Sequence, residues 1–189
     1  MIHPQLITDV LRGERRAQRE LYAALAPRAF RVAMRYVRER QDAEDIVQNA
    51  MARVFGKLSS FDASRGDLTG WAHRIAVNES LRHLQKRRSL LFAHASDDLP
   101  VTVDTEPLAT DHLAAADVRQ LILKLPEGYR AVFNLHEVEG YSHVEIAETL
   151  DITAATSRSQ LVRAKRLLRK WLAGGNQASS SRLHNIAAL

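Results

Sequence analysis

Apolar residues recur three and four positions apart through residues 1–92, the spacing that lines one face of a helix. The run passes through Leu21 and Leu25, then Phe30, Ala33, Met34 and Val37, then Ile46, Val47, Ala50, Val54, Phe55 and Leu58. Breaks are predicted at Gly13, at Pro27, around Gln41–Asp42, and from Ser59 to Gly66. Asp42 is the expected N-cap of the helix that follows it, with Glu44 and Asp45 suited to its positive end. A further helix is predicted from Asp67 to Arg88. Its apolar stripe is Leu68, Trp71, Ala72, Ile75, Leu81 and Leu84, and its other face shows Arg74, Asn78, Arg82, Lys86, Arg87 and Arg88.

The periodicity stops over residues 93–117, where acids, threonines and the prolines Pro100 and Pro107 predict a flexible linker. Helical spacing then returns. Leu121, Ile122 and Leu125 end a short helix. Pro126 suits the first turn of the next, where its missing N–H costs nothing, and Gly140 ends that helix. Ser142–His143–Val144–Glu145 has the form of a capping box and opens a short helix carrying Val144, Ile146, Ala147 and Leu150. Asp151–Ile152–Thr153 reads as a tight turn, with Thr153 capping a last helix to about Leu172. Residues 174–189 begin Gly-Gly and contain three consecutive serines, which predicts a disordered tail. No strand pattern appears. The expected fold is all-α: two small helical domains, 1–92 and 118–173, joined by a flexible acidic linker, 93–117.

Charge sharpens this division. The chain has 189 residues and net charge +5. Residues 1–92 carry 17 basic against 10 acidic side chains, 93–117 carry six acids and no Lys or Arg, and 118–173 carry nine basic against six acidic. Two basic blocks around an acidic segment are an expected footprint of a nucleic-acid binder. The absence of cysteine excludes disulfides and thiolate metal sites. No run is long and apolar enough to span a membrane, and the first residues lack the charged start and apolar run of a signal peptide. A cytoplasmic protein is expected.

The strongest local chemistry is a helix-turn-helix from Ser142 to Leu172, a short helix followed by a longer basic one that would enter a DNA major groove. Ala147 is small enough to let the two helices approach. Ile152, Leu161, Ala164, Leu168 and Trp171 are expected inside. Thr156, Arg158, Ser159, Gln160, Arg163, Lys165, Arg166 and Arg169 form the polar set. Arg158 and Gln160 suit bidentate contact with guanine and adenine edges, and later basic residues suit phosphates. Catalytic chemistry is not indicated. The eight histidines form no dense ligand set such as HExxH, and no phosphate-binding loop, GxSxG or dinucleotide turn is present. No enzyme activity, cofactor or metal is expected.

The segment LPEGYRAVFNLHEVEGYSHVEIAETLDITAATSRSQLVRAKRLLRKWL, Leu125 to Leu172, resembles domain 4 of bacterial RNA polymerase sigma factors of the sigma-70 family, in their extracytoplasmic-function (ECF) subfamily. DAEDIVQNAMARVF, Asp42 to Phe55, is similar to the core-polymerase-binding helix of domain 2. The stretch from Phe61 through RGDLTGW to RIAVN, Arg74 to Asn78, is similar to its −10 recognition loop and helix. The chain departs from the pattern at Asp151, where Gly is frequent, at Ser157, where a small aliphatic is usual, and at Gln160, where Arg is usual. These leave the −35 sequence open.

The resemblance implies an RNA polymerase sigma factor that directs promoter-specific initiation by reading −10 and −35 elements. The alternative is a helix-turn-helix regulator acting without core polymerase. By position, Asp45, Gln48 and Asn49 would face the clamp of the largest polymerase subunit. Arg65, Gly66 and Asp67 would form a loop that receives a base flipped from the −10 strand, with Asn78 lining the pocket. Phe61 and Trp71 could stack on bases, although for Trp71 core packing is the preferred reading. Arg74, Arg82, Lys86, Arg87 and Arg88 would follow phosphates. Thr156, Arg158, Ser159, Gln160, Arg163 and Lys165 would read −35 DNA. The expected partners are core RNA polymerase, promoter DNA and an anti-sigma factor, the last by family analogy and able to hold the protein at the inner membrane.

Overall fold

A computed structural model describes residues 2–92 and 115–173. The linker expected over 93–117 lies outside the described residues as far as 114, as does the tail 174–189. The chain divides into two compact units, Met1–Lys86 and Arg87–Leu189. Every regular element among the described residues is helical.

The first unit contains α1 (Pro4–Leu11), α2 (Arg15–Tyr36), α3 (Arg40–Lys57) and the start of α4 (Leu68–Phe92). α2 packs along α3 and holds α1. The core comes from Leu21, Leu25, Ala29, Val32 and Tyr36 of α2, Ile46, Val47, Ala50 and Val54 of α3, and Leu68, Ala76, Val77 and Leu81 of α4.

Two predicted boundaries fail here for identifiable reasons. α2 runs through Pro27 without interruption. A proline inside a helix costs about 3 kcal/mol, but Pro27 and Ala23, whose carbonyl loses its partner, are both exposed, so water can serve that carbonyl. Buried Leu25, Ala26 and Ala29 on either side keep the helix intact. Asp42 is not the N-cap of α3. That position belongs to Glu39, whose side chain makes no capping bond. Asp42 sits inside the first turn, where a carboxylate still favours the helix dipole, and Arg40 pairs with Glu44 at 2.7 Å across the same turn.

α4 also carries a polar interior that apolar spacing does not reveal. Glu79 is buried and forms ion pairs with both Arg53 of α3 and Arg82 of its own helix. Ser80, fully buried, donates to the Ala76 carbonyl at 2.8 Å.

The second unit contains α5 (Ala115–Lys124), α6 (Glu127–Phe133), α7 (His143–Leu150) and α8 (Ala154–Ala173), with α6 and α7 both packed on α8. Pro126 is the N-cap of α6, one residue before the first turn predicted for it. α6 widens into a π-turn over Asn134–Val138. The wider turn keeps its backbone bonded, with Glu139 N–H donating to Asn134 O at 3.0 Å and Tyr141 N–H to Leu135 O at 2.9 Å. The helical run predicted to end at Gly140 stops at Val138, and Gly140 follows at φ +75°.

The end of α5 is held by a buried cation. Arg130 of α6 is 3% exposed, and its Nη1 donates to the carbonyls of Leu123 at 2.8 Å and Leu125 at 3.2 Å. The last carbonyls of a helix lack partners of their own, and a guanidinium placed there satisfies them while meeting the negative end of the dipole. Arg130→Leu is therefore expected to destabilise the fold by about 1–3 kcal/mol, because the Leu123 and Leu125 carbonyls lose a charged donor. Denaturant unfolding of the full chain checks this. An unchanged midpoint would show that water replaces the guanidinium.

Candidate functional site

Three polar surfaces follow from these elements. On α3, Asp45, Gln48 and Asn49 are all exposed, while the adjacent Ile46, Val47 and Ala50 are buried. The helix period thus separates a polar outer face from an apolar inner one within six residues, and residues three and four apart on the outer face are neighbours.

The second surface is the loop before α4. A short 3-10 turn, Leu58–Ser60, leads to Phe61, and a second, Ala63–Arg65, leads to Gly66. Asp62 holds the second turn, its Oδ1 accepting from Ser64 N–H at 2.9 Å and Ser64 Oγ–H at 2.7 Å. Gly66 has φ +138°, which only glycine adopts freely. Asp67 then caps α4, accepting from Gly70 N–H at 2.9 Å. Both carboxyls lie below the ordinary Asp range because these donors favour the ionised form, Ser64 for Asp62 and chiefly Gly70 for Asp67. Arg65, Gly66 and Asp67 are exposed.

Phe61 and Trp71 are half-buried and lie 5.5 Å apart between ring centroids at a tilt of 54°. Each ring therefore covers part of the other. On α4, Arg74, Asn78, Arg82 and Lys86 are all exposed and follow one another at four-residue steps. Arg82 differs from the rest because Glu79 already engages its guanidinium. The side chains of Arg87 and Arg88 lie outside the described residues.

The third surface is the helix-turn-helix. Its capping box forms in full: Ser142 Oγ accepts from Glu145 N–H at 3.3 Å, and Glu145 Oε2 accepts from Ser142 N–H at 2.8 Å. Asp151 ends α7 in the left-handed conformation at φ 54°, so a residue that favours turns stands at the position where glycine is frequent. Thr153 Oγ1 accepts from Thr156 N–H at 3.0 Å and starts α8. Leu161, Ala164 and Leu168 are buried as predicted, together with Ser157 and Leu172. Trp171, Ile152 and Ala147 are half-buried, and the side chain that fills the space under α7 is Ile146.

The polar set on α8 divides. Arg158, Ser159, Arg163, Arg166 and Arg169 are exposed, with exposed Val162 among them, and Thr156 is half-buried at the turn. Gln160 and Lys165 lie on the two flanks of the buried stripe. Gln160 Oε1 is buried without a hydrogen-bond partner, and its amide rests where a Cβ on Gly128 would meet it at 3.4 Å. Lys165 Nζ is 2.8 Å from Glu137 of the π-turn. Arg163 Nη1 donates to the Tyr129 hydroxyl at 3.4 Å.

One contact had no sequence signal beyond the unusual residue itself. His143, the first residue of α7, is hydrogen-bonded through Nδ1 to Ser157 Oγ of α8 at 2.9 Å. The His143 ring also meets His136 edge-on, with centroids 4.5 Å apart. No group of three or more His, Cys, Asp or Glu suited to a metal ion occurs among the described residues. No helix among them is long and apolar enough to cross a membrane.

Two compact helical units, one bearing a capped helix-turn-helix with an arginine-rich second helix, define a DNA-binding protein of the transcription class. Residues 21–90 match the family described as Sigma-70 region 2, and residues 115–168 match Sigma-70, region 4. The chain belongs to the sigma-70 family of RNA polymerase sigma factors, in its ECF group. It is 30% identical over 184 residues to the RNA polymerase sigma-H factor of Pseudomonas aeruginosa, covering 89% of this chain and 92% of that protein. It is 31% identical over 158 residues to the ECF RNA polymerase sigma factor SigE of Mycolicibacterium smegmatis, covering 82% of this chain but 61% of that protein's length. The fold is also similar to that of the sigma factor RpoE in its complex with the anti-sigma factor NepR from Bartonella quintana. There the TM-score is 0.51 at 21% identity, covering 82% of this chain and 96% of that one.

The histidine cluster carries a pH dependence with a definite sign. Burial holds the His143 pKa below its ordinary 6.5. The positive charges of His136, Arg158 and Lys165 act in the same direction, and Glu137 opposes them. The unfolded chain therefore takes up this proton more readily than the folded one. His143 costs the fold nothing above 6.5, and the cost grows as pH falls below that value until the folded imidazole itself titrates. The melting temperature of the full chain should fall between about pH 7.5 and about pH 5.5 by more than that of His143→Asn. Equal falls in the two proteins would remove His143 as a cause.

Proposed function

We propose that this chain binds core RNA polymerase and directs it to promoters by reading −10 and −35 elements, while catalysis belongs to the polymerase. The observation that carries this reading is the order of parts in one chain. An exposed Asp45, Gln48 and Asn49 face and a basic α4 track precede a helix-turn-helix with exposed arginines. In this reading the domains are 1–92 and 118–173, and α3 docks on the clamp of the largest polymerase subunit. The loop Arg65–Gly66–Asp67, with Asn78 and Phe61, holds a −10 base extruded from the stack. Arg74 and Lys86 follow the phosphates. Arg82, held by Glu79, adds charge to that track from a fixed position.

On α8, Arg158 and Ser159 stand near the start of the recognition helix, where side chains reach base edges. Arg163, Arg166 and Arg169 anchor on phosphates. Gln160 and Lys165 act through the fold, the one packed on α6 and the other paired with Glu137. A cytoplasmic location fits these partners, and an anti-sigma factor that covers the polymerase-binding face is the expected regulator.

The test is transcription with purified core polymerase on a library of genomic fragments, followed by mapping of the start sites. Specific starts that require this chain are expected. DNA binding without any gain of specific starts would return the protein to the class of regulators that act without core polymerase. Asp45→Arg combined with Gln48→Ala should weaken binding to core by about tenfold or more, because a cation replaces an anion at a charged interface, while helical content stays constant. Unchanged affinity in a pull-down would remove α3 from the interface.

The two kinds of arginine on α8 should separate in binding assays. Arg158→Ala should relax preference at one −35 base pair, a loss of about 1–3 kcal/mol against that pair alone. Arg166→Ala should weaken all sequences alike and lower the salt slope by about one phosphate equivalent. The reverse pattern in a salt titration would mean that α8 is rotated relative to this assignment.

A further inference from the structure

Ser157 occupies a position where a polar side chain is expensive. It is fully buried on α8, in line with Leu161, Ala164 and Leu168, and a hydroxyl removed from water needs a partner. Its partner is His143 Nδ1 at 2.9 Å, on the other helix of the helix-turn-helix. The imidazole is itself held in place. His143 is the first residue of α7, immediately after the Ser142 capping box that fixes the helix start, and its ring is packed edge-on against His136.

Apolar burial is non-directional, so the stripe of Leu161, Ala164 and Leu168 tolerates a modest roll of α8 about its own axis. A hydrogen bond does not, because it weakens steeply with angle and distance. The His143–Ser157 bond lies in the first turn of α8, next to Arg158 and Ser159. A roll of about 25° would move the tip of a long side chain there by on the order of 3 Å, a full hydrogen-bond length. Thr153 caps the start of α8 locally through Thr156. Among the described residues, the other side-chain contacts of α8 to α6 and the π-turn lie further along and reach through longer side chains. Lys165 reaches Glu137 through a flexible stem, and Arg163 meets Tyr129 at 3.4 Å.

We propose that His143 and Ser157 are a positioning pair that sets the roll of α8 and so determines which −35 base pairs the helix discriminates. The proposal deepens the −35 reading above and rests on it. Neither residue needs to touch DNA. The pair acts by fixing where Arg158 and Ser159 point, so its loss should erode discrimination between sequences more than affinity for DNA in general.

The experiment uses holoenzyme assembled from the full chain and core polymerase. It compares binding to a cognate promoter, to promoters with single −35 substitutions, and to non-promoter DNA. Ser157→Ala and His143→Leu are each expected to lower the ratio of cognate to substituted binding by about three- to tenfold, the range of one net hydrogen bond. Binding to non-promoter DNA should stay as in the wild type. The double variant should lose no more than either single one, since both remove the same bond. His143→Asn should retain most of the discrimination, because the Asn amide places a polar atom where Nδ1 stands.

Equal loss on all DNAs, additive losses in the double variant, or a His143→Asn as impaired as His143→Leu would each overturn the proposal and leave the pair with a purely structural role. Should Ser157→Ala fail to fold, the comparison of His143→Leu with His143→Asn decides alone. A wild-type holoenzyme that ignores −35 substitutions would overturn the −35 reading and this inference with it. That outcome is distinct from a discriminating wild type whose variants discriminate equally well.

Discussion

Burial of one stripe on α8 governs the second unit. Leu161, Ala164, Leu168 and Leu172 must leave water against α6 and α7, and that requirement decides the direction of every other side chain on the helix. Once these positions face inward, the 100° step of the helix sends Arg158, Val162, Arg166 and Arg169 outward and leaves Gln160 and Lys165 on the flanks. The basic surface is therefore a consequence of core packing. It needs no interaction among the arginines themselves, which repel one another and gain from staying hydrated.

The same logic shows what was legible in the sequence. Long apolar periodicity identified α2, α3, α4 and α8, and short-range chemistry identified the capping box at Ser142, the turn at Asp151 and the helix end near Gly140. These signals are local, so a one-dimensional pattern contains them. The uninterrupted α2 is different. Whether Pro27 breaks a helix depends on whether the lost bond faces water or core, which is a property of the folded unit. The misplaced cap of α3 has a related cause: Glu39 and Asp42 lie within one turn, and which of them is the boundary depends on where Val37 is buried.

Among the candidate site residues, those on the centre of a polar face were readable and those on its edges were not. Asp45, Gln48 and Asn49 on α3 and Arg74 and Asn78 on α4 lie outside because the core lies on the other side. Gln160 and Lys165 sit at the margin, where tertiary contact decides their surroundings: Gln160 lies against the space left by Gly128, and Lys165 pairs with Glu137. His143 and Ser157 are separated by 14 positions, and nothing in the spacing pairs them. Arg130 and Glu79 show the same limit from the opposite direction. Charged residues are seldom buried, yet each is committed to a defined set of partners inside a helix junction.

The distribution of acids completes the electrostatic picture. In both units the described carboxylates are repeatedly consumed by local structure. Asp62 and Asp67 accept backbone N–H groups before α4, Glu145 closes the capping box, Glu79 joins two guanidinium groups, and Glu137 holds Lys165. A carboxylate fixed against N–H donors or a cation has much of its field compensated at short range. Among the described residues no carboxylate is paired with the exposed arginines of α8, and Arg163 meets a neutral phenol. The net charge of +5 counts spent and unspent charges alike, so it does not by itself describe the local charge of α8. Within a Debye length of about 8–10 Å an approaching phosphate meets the unspent set first. The polar groups that stabilise the fold and those available to DNA are thus largely separate populations, and the flanks of α8 are where the two meet.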